Sequence, residues 1–171
     1  SYSPNTIVST LATVSGTPTV TVISGTEIKV EWAAVTGTGI TYTVYTSPDD
    51  ITYTAGPVGH PTAYFNHQGL TNGQTVYYKV SVLNSSGGST QSPSAVGTTY
   101  TTPGAPTNIQ VTHSTPLSAT ITWTAPANDG GDPSNLTYTL QRSNNNSNWT
   151  SYLSTSSTAI IDPALTSGTQ Y

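Results

Sequence analysis

One design occurs twice in this chain. Thr26-Glu27-Ile28-Lys29-Val30-Glu31-Trp32 and Leu117-Ser118-Ala119-Thr120-Ile121-Thr122-Trp123 both alternate polar with apolar residues and end in Trp on the apolar side. Alternation with period two marks a strand that buries one face. Each segment is followed by a second alternating run, Tyr42-Thr43-Val44-Tyr45-Thr46-Ser47 and Tyr138-Thr139-Leu140-Gln141-Arg142-Ser143. A third pair is Gly69-Leu70-Thr71-Asn72-Gly73 and Ala164-Leu165-Thr166-Ser167-Gly168. The tryptophans stand 91 positions apart and the leucines 95. A repeat of roughly ninety residues, made of short strands with Gly, Pro, Asn and Asp turns between them, has the size and punctuation of a β-sandwich.

Composition supports strands and narrows the surface chemistry. Charged residues are only 6% of the chain, against a usual share of about 25%. Eleven Tyr, three Trp and many Thr and Val argue against disorder, because such side chains suit a pleated, half-buried surface. Hydroxyls and amides, not ions, must therefore cover the solvent face, as on exposed surface or virion proteins. The basic residues are Lys29, Lys79 and Arg142, and the net charge is −4. Neutralising phosphates needs clustered Lys and Arg, so a nucleic-acid surface is not expected. No run of about eighteen apolar residues occurs, so no membrane insertion is expected. There is no cysteine, which removes disulfides and thiol chemistry and leaves the redox compartment open.

At these residues the sequence resembles the fibronectin type III family. That pattern has a Trp on the second strand (Trp32, Trp123), a Tyr on the third (Tyr42, Tyr138), and a Leu-x-x-Gly turn (Leu70, Leu165) leading into the strand that carries a tyrosine corner. The Ala127–Pro133 segment is similar to the family's loop between the second and third strands. Tyr171, three residues after Gly168, falls at the corner position; its counterpart three residues after Gly73 is Val76. In the first module the corner bond is therefore absent, or is taken over by Tyr77 or Tyr78. The resemblance implies an all-β fold of tandem Greek-key sandwiches and a structural role for these eight residues. It implies no cofactor. The family's integrin-binding tripeptide, Arg-Gly-Asp, does not occur, so that activity is not carried over.

Residues 17–102 are expected to form a complete module. Residues 103–171 are expected to form a second one lacking its last strands. Ser3-Pro4 precedes a run like that after Ser92-Pro93, so residues 1–16 read as the last strand of a preceding module plus a linker. Two explanations fit these ends. The chain is a window on a longer array, or the first strand of one copy completes the last module of another by strand complementation.

Chemistry is sparse. Glu27 and Glu31 flank Lys29 on the outer face of one strand, a solubility pattern and not two carboxylates facing across a cleft. His60, His67 and His113 are expected as separate surface histidines, and no metal site is assigned. Asn128-Asp129-Gly130-Gly131-Asp132 reads as a turn and lacks the ligand spacing of a calcium loop. Sequons place candidate glycosylation at Asn84, Asn135, Asn145 and Asn148. Trp149 follows an Asn-rich run. It either packs into the sandwich or stacks on sugar together with Tyr152.

No catalytic residues are assigned, and the chain is not expected to be an enzyme. The leading expectation is a structural spacer module of an extracellular, cell-surface or virion-surface assembly, such as a surface protein, a filament or appendage, or a phage fibre or tail decoration. The alternatives are a carbohydrate- or host-surface-binding module and an accessory domain of an extracellular polysaccharide-degrading enzyme. The expected partners are neighbouring modules or copies of the chain, and surface glycans.

Overall fold

A computed structural model describes residues 11–171. The chain divides into two compact units between Tyr100 and Thr101. Among the described residues, unit one contains β1 (Thr19–Val22), β2 (Glu27–Glu31), β3 (Thr41–Ser47), β4 (Thr54–Ala55), β5 (Tyr64–Gln68), β6 (Thr75–Asn84), β7 (Gly87–Gly88) and β8 (Ala95–Thr98). Strands β1, β2 and β5 form one antiparallel sheet in that order. The other sheet runs β4-β3-β6, with both β7 and β8 paired to β6.

β7 and β8 act as a single interrupted edge strand. Between them the backbone N–H groups of Ser89 and Ser92 donate to the carbonyls of Val82 and Val80, both at 2.8 Å. The hydroxyls of the same two serines accept from the Val82 and Val80 N–H groups, each at 3.0 Å. Serine oxygens thus replace ladder acceptors where the edge bulges away, a device that keeps a sheet edge from pairing further. Counted this way, unit one has seven strands in two sheets. This is the all-β, fibronectin type III-like sandwich that the resemblance implies.

Period-two alternation decides what the sheets enclose. Ile28, Val30 and Trp32 point inward from β2 and its end, Tyr42 and Val44 from β3, and Val76, Tyr78, Val80 and Val82 from β6. Val14 joins this core, with Ala12 packed against it. Residues 12 and 14, placed by sequence in a leftover strand and linker, therefore contact the hydrophobic centre of unit one.

Unit two contains β9 (Thr107–Thr115), β10 (Ser118–Thr124), a 3-10 turn at Pro133–Asn135, β11 (Tyr138–Arg142), β12 (Thr150–Thr155) and β13 (Ala159–Asp162). Its sheets are β13-β10-β9 and β11-β12. These five strands repeat β1 to β5, and the backbone agrees in detail. The Trp32 N–H donates to the Ala63 carbonyl as Trp123 does to Thr158. Leu70 donates to Thr26 as Leu165 does to Leu117. Strands equivalent to β6–β8, which seal the core of unit one, have no counterpart among the described residues of unit two. Its inner surfaces are correspondingly open. Ile109, Ile121, Trp123, Tyr138 and Leu140 line an open cleft, while Ala119 is buried.

This difference predicts unequal consequences for equivalent changes. Trp32 is 8% exposed, so Trp32→Ala is expected to destabilise unit one by about 3–5 kcal/mol. Trp123 is only half-buried, and Trp123→Ala should have a smaller effect on unit two. Urea unfolding of the full chain, followed by amide exchange in each unit, measures both.

Candidate functional site

Asn145, Asn148 and Trp149 sit on or beside a turn that has a counterpart in unit one. In unit one the turn after β3 is built around Asp49. Its Oδ1 accepts from the Ser47 hydroxyl at 2.8 Å, the Ile51 N–H at 2.9 Å and the Thr52 N–H at 3.0 Å. These donors hold the Asp49 carboxyl below its ordinary pKa; the Thr52 and Ile51 N–H groups contribute most. In unit two Asn145 does the same work. Its Oδ1 accepts from the Ser143 hydroxyl at 3.0 Å and from the N–H groups of Ser147 at 3.0 Å and Asn148 at 2.9 Å. The next residue takes a left-handed conformation in both turns, Asp50 at φ 61° and Asn146 at φ 56°, a region that Asn and Asp tolerate best among side-chain-bearing residues.

The turns bring Tyr53 and Trp149 to equivalent places, with different outcomes. Tyr53 donates its hydroxyl to Asp50 and lies under the Lys79 ammonium, 4.1 Å from the ring centre. Burial and the Asp50 hydrogen bond push its phenol up to about 12. Lys79 belongs to β6, and the described part of unit two has no such strand. Trp149 is 55% exposed. Tyr152, at a register irregularity of β12 against β11, faces the Arg142 guanidinium at 5.0 Å from its ring.

Arg142 is the hub of that end of unit two. It donates to the Asp162 carboxylate at 3.0 Å and to the Ala164 carbonyl at 3.0 Å, and it faces the Tyr171 ring at 5.0 Å as well as Tyr152. Asp162 is 4% exposed and also accepts the Ala164 N–H at 3.0 Å. The pair joins β11 of one sheet to β13 of the other. Ion pairing and burial together favour the geometry only because both charges are hydrogen-bonded.

The Leu-x-x-Gly turns also share a plan with different chemistry. The Tyr171 hydroxyl accepts from the Thr166 N–H at 3.2 Å. The equivalent N–H, that of Thr71, donates to Gln74 Oε1 at 2.8 Å. Val76 is buried in the core, and Tyr78, two residues on, is fully buried with its hydroxyl 3.0 Å from His67 Nδ1. His67 corrects the expectation of surface histidines. It pairs with inward-facing Ile28 and shares the inward side of β5 with Phe65, because residues two apart on a strand face the same way. His60 lies outside that strand, with Nδ1 3.0 Å from the Thr62 hydroxyl. His113 is exposed on β9.

The remaining polar groups are used locally. Lys29 Nζ lies 2.8 Å from Glu31 in an exposed pair, a contact of small energetic weight. In the loop after β10, Asn128 and Asp129 accept from the N–H groups of Gly130 and Gly131, and Asp132 accepts from Asn135. Gly130 has φ 82°, and an added Cβ would meet the Thr101 carbonyl at 2.5 Å, so glycine is required there. Of the four sequon asparagines, Asn135, Asn145 and Asn148 are exposed and Asn84 is half-buried. Asn145 and Asn84 carry turn hydrogen bonds on Oδ1, and Asn135 donates through Nδ2. No group of three or more His, Cys, Asp or Glu residues suited to a metal occurs among the described residues.

No family model matches the chain, and no curated protein matches it. Solved structures do. A human fibronectin type III domain, from fibronectin type III domain containing protein 3, is 20% identical over 54% of this chain and 91% of its own, with a TM-score of 0.44. An Fn3-like protein from Clostridium thermocellum is 23% identical over 52% of this chain and 92% of its own, at 0.46. The chicken CNTN1 FN1-FN3 domains align with 93% of this chain and 58% of their own at 15% identity and 0.48.

The matched turns yield a prediction. Asp49 has a depressed pKa, so it adds stability above its ordinary value of 3.8 that is lost as pH falls below it. Asp49→Asn is expected to keep the turn, as Asn145 does, and to abolish that acid response. The amide shifts of Ile51 and Thr52, followed down to about pH 2, report it.

Proposed function

We propose that this chain is a non-catalytic spacer segment of an extracellular, cell-surface or virion-surface assembly, whose partners are neighbouring modules or further copies of itself. One observation supports this above others. Two successive units are built on one plan, down to matching backbone hydrogen bonds, and their conspicuous polar and aromatic groups hold turns and sheets. Asp49, Asn145, Arg142, Asp162, His67 and Tyr171 all act inside their own unit. A surface rich in hydroxyls and amides, with 6% charged residues, suits exposure outside a cell. No helix among the described residues is long and apolar enough to cross a membrane.

Labelled antibody against the chain, imaged on intact cells or particles of the source, tests the reading. Regular surface labelling is expected. Labelling confined to the interior, or hydrolysis of polysaccharide by the purified chain, would overturn it.

A second reading rests on Trp149. An indole 55% exposed beside a polar turn is a ready stacking surface for sugar. On the spacer reading, a glycan array probed with wild type and Trp149→Ala shows no binding by either. Binding that disappears in Trp149→Ala would make this a carbohydrate- or host-surface-binding module.

A further inference from the structure

His67 occupies a position from which both units send a polar bridge between their sheets. It pairs with Ile28, as Asp162 pairs with Ala119 on the equivalent strands of unit two. From this position Asp162 reaches Arg142 across the sandwich. His67 reaches Tyr78 of β6, which lies in the opposite sheet. Unit two therefore uses a charged pair here, and unit one a neutral imidazole and phenol.

The surroundings of His67 suit only a neutral ring. Phe65 lies 5.7 Å from it and Tyr78 5.8 Å, the latter edge-on. Ile28, across the ladder, is fully buried. Glu27 and Lys29 flank Ile28, and Tyr77 and Lys79 flank Tyr78, but alternation turns all four to the outer faces. His60 contacts the same Phe65 ring, at 6.1 Å, and brings no negative charge. Among the described residues, Tyr78 is thus the titratable group in contact with His67, and no carboxylate faces it. Burial lowers the His67 pKa from its ordinary 6.5 and raises that of Tyr78.

From this geometry we propose that His67 is an acid-sensitive latch between the two sheets of unit one. While the ring is neutral, Nδ1 accepts the Tyr78 hydroxyl hydrogen. Once protonated, Nδ1 must donate, the hydrogen of the fully buried Tyr78 hydroxyl loses that acceptor, and a charge enters an aromatic and aliphatic pocket. A group whose pKa is lowered by folding gives stability that is complete above its unfolded value and declines as pH falls below it. The latch therefore holds at neutral pH and loosens through the mildly acidic range.

The test uses the full chain. Imidazole signals of His60, His67 and His113 are titrated by NMR, and amide exchange in β2, β5 and β6 is compared at about pH 7.5 and about pH 5 after correction for intrinsic rates. Expected is a His67 midpoint below 6.5, with exchange in these strands faster by roughly threefold or more at the lower pH. His67→Gln, whose amide oxygen can still accept from Tyr78, should remove the acceleration, and His60→Gln and His113→Gln should keep it. A His67 midpoint at or above 6.5, or an unchanged acceleration in His67→Gln, overturns the latch. If His67→Gln does not fold, the wild-type midpoint decides the matter in the same two directions.

Discussion

Everything in each unit hangs on an edge-on meeting of two rings. Trp32 and Tyr42 lie 5.2 Å apart at 65°, and Trp123 and Tyr138 lie 5.3 Å apart at 67°. The Trp ends a strand of one sheet and the Tyr begins a strand of the other, so the contact sets how the sheets face each other. Edge-to-face geometry suits the ring quadrupoles. The indole N–H groups of both tryptophans are buried without a protein acceptor among the described residues, so their contribution is apolar contact. Tyr42 adds an anchor, its hydroxyl accepting the Val35 N–H at 2.8 Å and closing the loop between β2 and β3.

Around that contact the two units make different choices at equivalent places. Asp49 and Asn145 nucleate the same turn, because either side chain offers one oxygen to three donors. Gln74 and Tyr171 satisfy the same orphan N–H, one through a side-chain amide within the turn and one through a phenol three residues after its glycine. His67 and Asp162 carry the polar bridge between sheets, the first neutral and the second charged. The backbone demand is constant, and several side chains meet it. This explains how two units with limited sequence likeness keep matching hydrogen bonds.

Much of this was legible in the chain. Alternation ending in Trp identified β2 and β10, and the spacing of Trp, Tyr and Leu-x-x-Gly gave the repeat, because period two and turn chemistry are local properties. The role of His67 was not legible. Its strand is short and contains Tyr64, Phe65 and Asn66, so alternation alone did not say which side was buried. The placing of Tyr152 on Arg142 was not legible either, since Arg142 is held by Asp162, twenty residues further on. Val14 was likewise invisible as a core residue of unit one, since residues 1–16 read as the last strand of a preceding module plus a linker.

The sequence by itself determined the all-β class, the repeat and the identity of the ring pair, since each rests on residue type and on separations along the chain. Tertiary structure alone decided which polar groups lie between the sheets and what satisfies them. It also decided that Tyr53 lies under the ammonium of Lys79, a residue of β6. Those outcomes depend on the strand that arrives from elsewhere to cover a position, and the position's own neighbours in sequence carry no record of it.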